Sequence, residues 1–76
     1  MSVFSDNLKM LRTLRKLPSE VVAVNCKISH SSYRRYEIGE REPSLSVAYA
    51  LADFFGVTLD QLVGRALLPE NPDRGA

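Results

Sequence analysis

Residues 18–39 read PSEVVAVNCKISHSSYRRYEIG, and the fold of this stretch decides what the rest of the chain can be. Pro18 marks a boundary, because proline disfavours a helical residue before it and suits the first turn after it. Ser29 is well placed to cap a helix running through Tyr36 or Glu37, with Gly39 to end it. Between these signals, SEVVAVNC (19–26) is ambiguous on its own. Its three valines suit a strand as well as a helix, and eight residues is too short for length to decide. No strand partner is visible elsewhere in the chain, which argues for the helix.

Outward from this stretch the signals are helical. Phe4, Leu8, Leu11 and Leu14 recur at steps of four and three across residues 4–16, with Met10 on the flank. Ser5 or Asp6 is available to cap that helix. Beyond Gly39, EREPS is a polar loop, and Ser44 caps a fourth helix carrying Leu45, Ala48, Leu51, Ala52 and Phe55 on one side. Gly56 stops it, and Thr58 with Gln61 forms a capping-box pattern for a short fifth helix, TLDQLV. These blocks predict an all-α architecture of five short helices over residues 1–66, followed by a flexible C-terminal tail, 67–76.

Composition narrows the class. A chain of 76 residues has room for one thin core. Its 45% apolar and 25% charged residues are those of a folded globular protein. No apolar run approaches the ~20 residues of a membrane span, and MSVFSDNL lacks the basic flank and apolar centre of a signal peptide. One cysteine, Cys26, cannot form an internal disulfide, and no Cys/His cluster has zinc spacing. The expectation is a cytoplasmic protein with neither metal nor cofactor. The formal charge is +1, unevenly spread. Residues 1–41 hold eight basic side chains against four acidic ones, and residues 42–76 hold two against five. One half thus suits a polyanion and the other does not.

From Leu8 to Gly64, about three-quarters of its length, the chain resembles the lambda-repressor-like, Cro/XRE-type helix-turn-helix family. The resemblance is carried by Leu11-Arg12 with Arg15, by Ala23…Ile28-Ser29, by Tyr36-Glu37-x-Gly39-x-Arg41-x-Pro43-Ser44, and by Leu51-Ala52…Phe55-Gly56-Val57…Leu59-Asp60-x-Leu62. It implies that the second and third helices form the helix-turn-helix, with Ala23 at their crossing and Val22, Ile28, Tyr33 and Tyr36 wedged between them. It also implies an ion pair between Arg12 and Glu37 that fixes the third helix against the first. The chain departs from the family pattern at three places. Pro18-Ser19 replaces the usual Thr-Gln, whose glutamine grips a DNA phosphate. Lys27 replaces the glycine between the two helices. Val21 and Val24 stand where polar residues are usual.

With Tyr33 and Tyr36 turned inward from a helix starting at His30, the residues His30, Ser31, Arg34 and Arg35 face outward. Their chemistry fits base edges in a DNA major groove. Arg35 can fork onto guanine O6 and N7, Ser31 can donate or accept, and His30 can bond guanine N7 or a phosphate. Arg34 suits a mixed phosphate and base role, while Ser19, Ser29 and Arg41 suit phosphates. Helix 4 has a second apolar line, Val47, Ala50 and Phe54. Phe54 with Leu67 and Leu68 is the expected homodimer contact. The resulting expectation is a sequence-specific regulator, a repressor bound as a dimer to a two-fold operator in double-stranded DNA. The alternative is an antitoxin or anti-repressor that grips a protein through Val21, Val24 and helix 4. Catalysis has no support: His30 and the serines beside it lack an acidic orienter and an oxyanion loop.

Overall fold

In the computed structural model, residues 3–65 are described, and among them every regular element is helical. In chain order these are α1 (Val3–Leu14), α2 (Ser19–Asn25), α3 (His30–Ile38), α4 (Leu45–Phe55) and α5 (Leu59–Val63). The tail expected at 67–76 lies outside the described residues.

α1 starts earlier than its side-chain caps suggested, so Ser5 and Asp6 lie inside its first turn. The reason is packing: Phe4 lies against the core, Ser5 is fully buried, and Val3 abuts Gly64 at the end of α5. The buried stripe of α1 also differs from the expected one. Leu8 and Leu11 are buried, whereas Leu14, the last helical residue, is 57% exposed. Four residues beyond Leu11 comes Arg15, and its guanidinium stacks over the Phe55 ring at 5.3 Å and donates to the Phe55 carbonyl at the end of α4. A cation at a helix C-terminus meets the negative end of the dipole, so this place on the stripe favours arginine over leucine.

α2 resolves as a helix despite its valines. Val22, Ala23 and Cys26 are buried at i, i+1 and i+4, while Val21 and Val24 are exposed. Tertiary cover on one face decides the conformation that local propensity left open. α2 has no side-chain N-cap. Its exit to α3 runs through Lys27, held at φ 60°, and the turn is closed by the Ile28 N–H donating to the Ala23 carbonyl at 3.0 Å. Lys27 thus takes a left-handed conformation that ordinarily favours glycine.

The remaining boundaries follow the sequence signals. Ser29, Ser44 and Thr58 each accept a backbone N–H as N-caps, and Thr58 with Gln61 completes a capping box. α3 ends at Gly39, whose φ of 82° would strain any side chain-bearing residue. The core joins all five helices through Leu8, Leu11, Val22, Tyr33, Leu51, Phe55 and Leu62. Asn7, which carried no sequence signal, donates from Nδ2 to the Gln61 and Leu62 carbonyls at 3.2 and 3.1 Å and ties α1 to the last turn of α5.

Candidate nucleic-acid interface

α3 could not hold a fixed orientation by its own propensity. Its sequence, HSSYRRYEI, has two serines in the first turn and no alanine or leucine. Its inner face supplies the orientation. Tyr33 is fully buried and Tyr36 is 7% exposed, so the rings wedge α3 against the core.

The inner face also carries an ion pair at its C-terminal end. Glu37 Oε2 accepts from Arg12 Nε at 2.5 Å and from the Tyr33 hydroxyl at 2.5 Å, and Oε1 accepts from Arg12 Nη2 at 3.1 Å. Arg12 Nη1 donates onward to the Leu17 carbonyl at 2.9 Å, which includes the α1–α2 connection in the network. The Glu37 bonds raise the Arg12 pKa against the opposing effect of burial. Burial, reinforced by the bond to Glu37, pushes the Tyr33 phenol far above its ordinary range. The network therefore holds one carboxylate between a fixed cation and a neutral hydroxyl. The arginine–glutamate pair implied by the resemblance is present.

On the opposite face, Ser31, Arg34 and Arg35 are exposed and His30 is half-buried. Neither arginine side chain makes a hydrogen bond or ion pair with another described residue. The proposed base-edge residues thus share the outward surface of α3. Arg41 is exposed in the loop that follows. Ser29 accepts the Ser32 N–H at 3.1 Å, leaving its own hydroxyl hydrogen free to donate. Ser19 is the exception among the phosphate candidates. Its Oγ lies 2.7 Å from Nε2 of His30, so two residues assigned separate roles from sequence form one hydrogen-bonded pair. The available signal was that each opens its helix on one side of a tight turn.

The second apolar line of α4 is largely used within the protomer. Val47, Ala50 and Phe54 all pack on the core, and Phe54 meets Phe55 edge-on with centroids 5.0 Å apart. Phe54 remains half-buried beside a groove shared with Asn25, Cys26, Lys27, Ala50 and Asp53. The exposed apolar residues of α4 are Leu45 and Tyr49, one turn apart. Leu67 and Leu68, the other members of the expected dimer contact, lie outside the described residues. Cys26 is buried, and burial raises its thiol pKa. No described helix is long and apolar enough to cross a membrane.

Comparison with known proteins gives a consistent picture. The helix-turn-helix family profile matches residues 8–62. The HTH-type transcriptional regulator AnsR of Bacillus subtilis is 40% identical over 60 residues, covering 79% of this chain and 52% of that protein. The cryptic phage CTXphi transcriptional repressor RstR of Vibrio cholerae is 36% identical over 61 residues, covering 80% and 55%. A crystal structure of a transcriptional regulator from Listeria innocua is similar with a TM-score of 0.77 at 26% identity, over 90% of this chain and 64% of that one. The chain spans about half the length of the curated relatives it matches.

Proposed function

The chain belongs to the helix-turn-helix family of transcriptional regulators, and from that premise we propose that it reads double-stranded DNA with α3 and represses transcription by occluding a promoter. The observation that carries this reading is the two-faced character of α3. Two buried tyrosines and a clamped glutamate fix one side, while Arg34 and Arg35 project from the other without partners among the described residues.

In this reading α3 lies in the major groove. Arg35 forks onto a guanine, a contact worth about 1–3 kcal/mol of discrimination, and Ser31 addresses a neighbouring edge, while His30, its Nε2 held by Ser19, turns to the backbone instead. Arg34 spans base and phosphate. Arg41 and the Ser29 hydroxyl donate to phosphates and set the register, as does Ser19 in concert with His30. One module of this size reaches few base pairs. Two protomers spaced about 34 Å apart on a two-fold operator would double the contact. Phe54, Leu67 and Leu68 remain the proposed dimer contact.

Selection of bound duplexes from a random pool tests specificity and symmetry together, since a dimer returns a palindrome. Arg35→Ala should relax preference at one position of that motif, and Arg41→Ala should weaken all duplexes alike. If neither substitution alters duplex binding, the assignment of α3 as the reading helix is wrong.

One observation favours a second reading, a protein-binding antitoxin or anti-repressor on the same fold. Val24 is 74% exposed and Val21 38%, beside a groove lined by Glu20, Asn25 and His30. Duplex affinity that falls steeply with salt signals counterion release from phosphates and supports the first reading. Absence of any salt-dependent duplex binding supports the second.

A further inference from the structure

His30 is the one histidine in the chain, and its bond to Ser19 bridges the first residues of α2 and α3. Counting hydrogens shows what this pair can offer a ligand. A neutral imidazole has one N–H and one bare nitrogen, and a hydroxyl has one O–H. If Ser19 donates to Nε2, the ring proton sits on Nδ1 and is the one hydrogen left to give. If Nε2–H donates to Ser19, the hydroxyl hydrogen is left and Nδ1 can only accept. Either way the neutral pair has a single free donor. Protonation changes the count. Nε2–H then donates to Ser19 Oγ, and both Nδ1–H and the serine O–H are free, alongside a positive charge.

We propose that Ser19 and His30 form a single proton-linked phosphate clamp, which takes up a proton as a DNA backbone phosphate binds. This rests on the DNA-binding reading above and adds a condition to it. A phosphate oxygen is anionic and only accepts, so it favours the cationic form with two donors over the neutral form with one. The bound state therefore holds the proton more tightly than the free state, and by linkage affinity rises as pH falls. Serine in place of a longer side chain at position 19 suits this arrangement. Its short side chain lies directly against the His30 ring, so the two groups donate from one place.

The charged surroundings can be named. From α2, Glu20 lines the same groove as His30 and favours the cation. On α3 itself Arg34 lies one turn further on, and Lys27 belongs to the turn before it; both oppose the added charge. From α1, Arg12 is committed to Glu37 near the other end of α3. A phosphate seated at the pair offsets the charge of the imidazolium itself. Histidine is the side chain whose ordinary titration falls between about pH 5 and 8. Cys26, the other type that can enter this range, is pushed upward by burial.

The test is fluorescence anisotropy of the whole chain on a labelled random-sequence duplex of about 20 base pairs, at fixed low salt from about pH 5.5 to 8.5. The expected result is affinity that rises on acidification, about tenfold for each unit by which the phosphate raises the imidazole. The salt slope should also steepen by about one per protomer at the acid end. His30→Gln keeps a donor and an acceptor but cannot take up a proton, so its profile should be flat. Ser19→Ala should retain a pH response of smaller amplitude. Circular dichroism melts establish that both variants are folded. A flat wild-type profile with salt-dependent binding intact overturns the clamp and leaves the DNA reading standing. An unchanged pH response in His30→Gln overturns it equally. Loss of salt-dependent binding at every pH overturns both.

Discussion

Replacing Arg12 with alanine removes three donated hydrogen bonds, two to Glu37 and one to the Leu17 carbonyl. The Glu37 carboxylate would then keep only the Tyr33 hydroxyl. Stranding one partner of a fully buried ion pair costs about 3–5 kcal/mol. Here the side chains of Arg12 and Glu37 are 22% and 10% accessible, so water recovers part of the loss. We expect about 2–3 kcal/mol. For a domain of this size total stability is about 4–11 kcal/mol, so the loss is a large share. Each kcal/mol corresponds to about 4–8 °C in Tm, and a drop of roughly 8–24 °C should be visible. Urea unfolding followed by circular dichroism at neutral pH measures the cost directly. Glu37→Gln and the double variant close a cycle, whose coupling should be about 2 kcal/mol. A cost under about 0.5 kcal/mol for Arg12→Ala, or a coupling near zero, would refute the view that this pair holds α3 in place.

Two further substitutions probe single features. Lys27→Gly should stabilise the domain by about 0.5–1 kcal/mol, because φ 60° is strained for lysine and free for glycine, less the entropy glycine adds to the unfolded chain; a lowered urea midpoint would contradict it. Tyr33→Phe should cost about 1 kcal/mol at neutral pH, since Glu37 loses one donor and retains Arg12. The same variant should respond differently to alkali. In the folded protein the Tyr33 phenol is held well above its ordinary value, so the unfolded chain releases that proton first. Wild-type stability therefore falls as pH rises beyond about 10, and the slope should be shallower in Tyr33→Phe. Parallel alkaline profiles would show that the phenol is not the source.

The parts of the fold legible from sequence were those set by backbone chemistry and periodicity. Ser29, Ser44, Thr58, Gly39 and Gly56 mark helix ends because their roles depend on neighbours one to three residues away. The inward tyrosines and outward arginines of α3 followed from helical geometry once its start was placed. The contacts that are not legible in the sequence act across long separations. Arg15 reaches Phe55, and Asn7 reaches Gln61 and Leu62. Nothing local to a polar residue reveals which carbonyl it will satisfy forty or fifty residues on. Leu14 misled for a related reason. Its spacing fits the stripe, but the helix ends there and the next core-facing place belongs to a cation over an aromatic ring. Whether the second apolar line of α4 faces a partner or its own core is not legible either, because the volume available to Val47, Ala50 and Phe54 depends on how α2 sits beside them.

Two of the departures from the family pattern, Ser19 and Lys27, bear on one problem, how to hold a nine-residue helix still. A segment this short with two serines in its first turn is marginal in isolation, so its order must come from ties to other elements. At its C-terminal end the tie is ionic and inward: Arg12 and Tyr33 converge on the buried Glu37 carboxylate. At its N-terminal end the tie is the hydrogen bond of Ser19 to His30, beside the exposed face. Between them the outward side chains Ser31, Arg34 and Arg35 ride on a backbone constrained at both ends, which lowers the ordering entropy that binding must overcome. Lys27, strained at φ 60°, lies between the two tied helices, and a strained turn persists only where its surroundings over-determine it. The ties at Ser19–His30, Tyr33 and Glu37, with the buried Ala23 within α2, supply that over-determination. A lysine in place of glycine is therefore tolerable here, and it leaves one more cation on the exposed turn that leads into the reading helix.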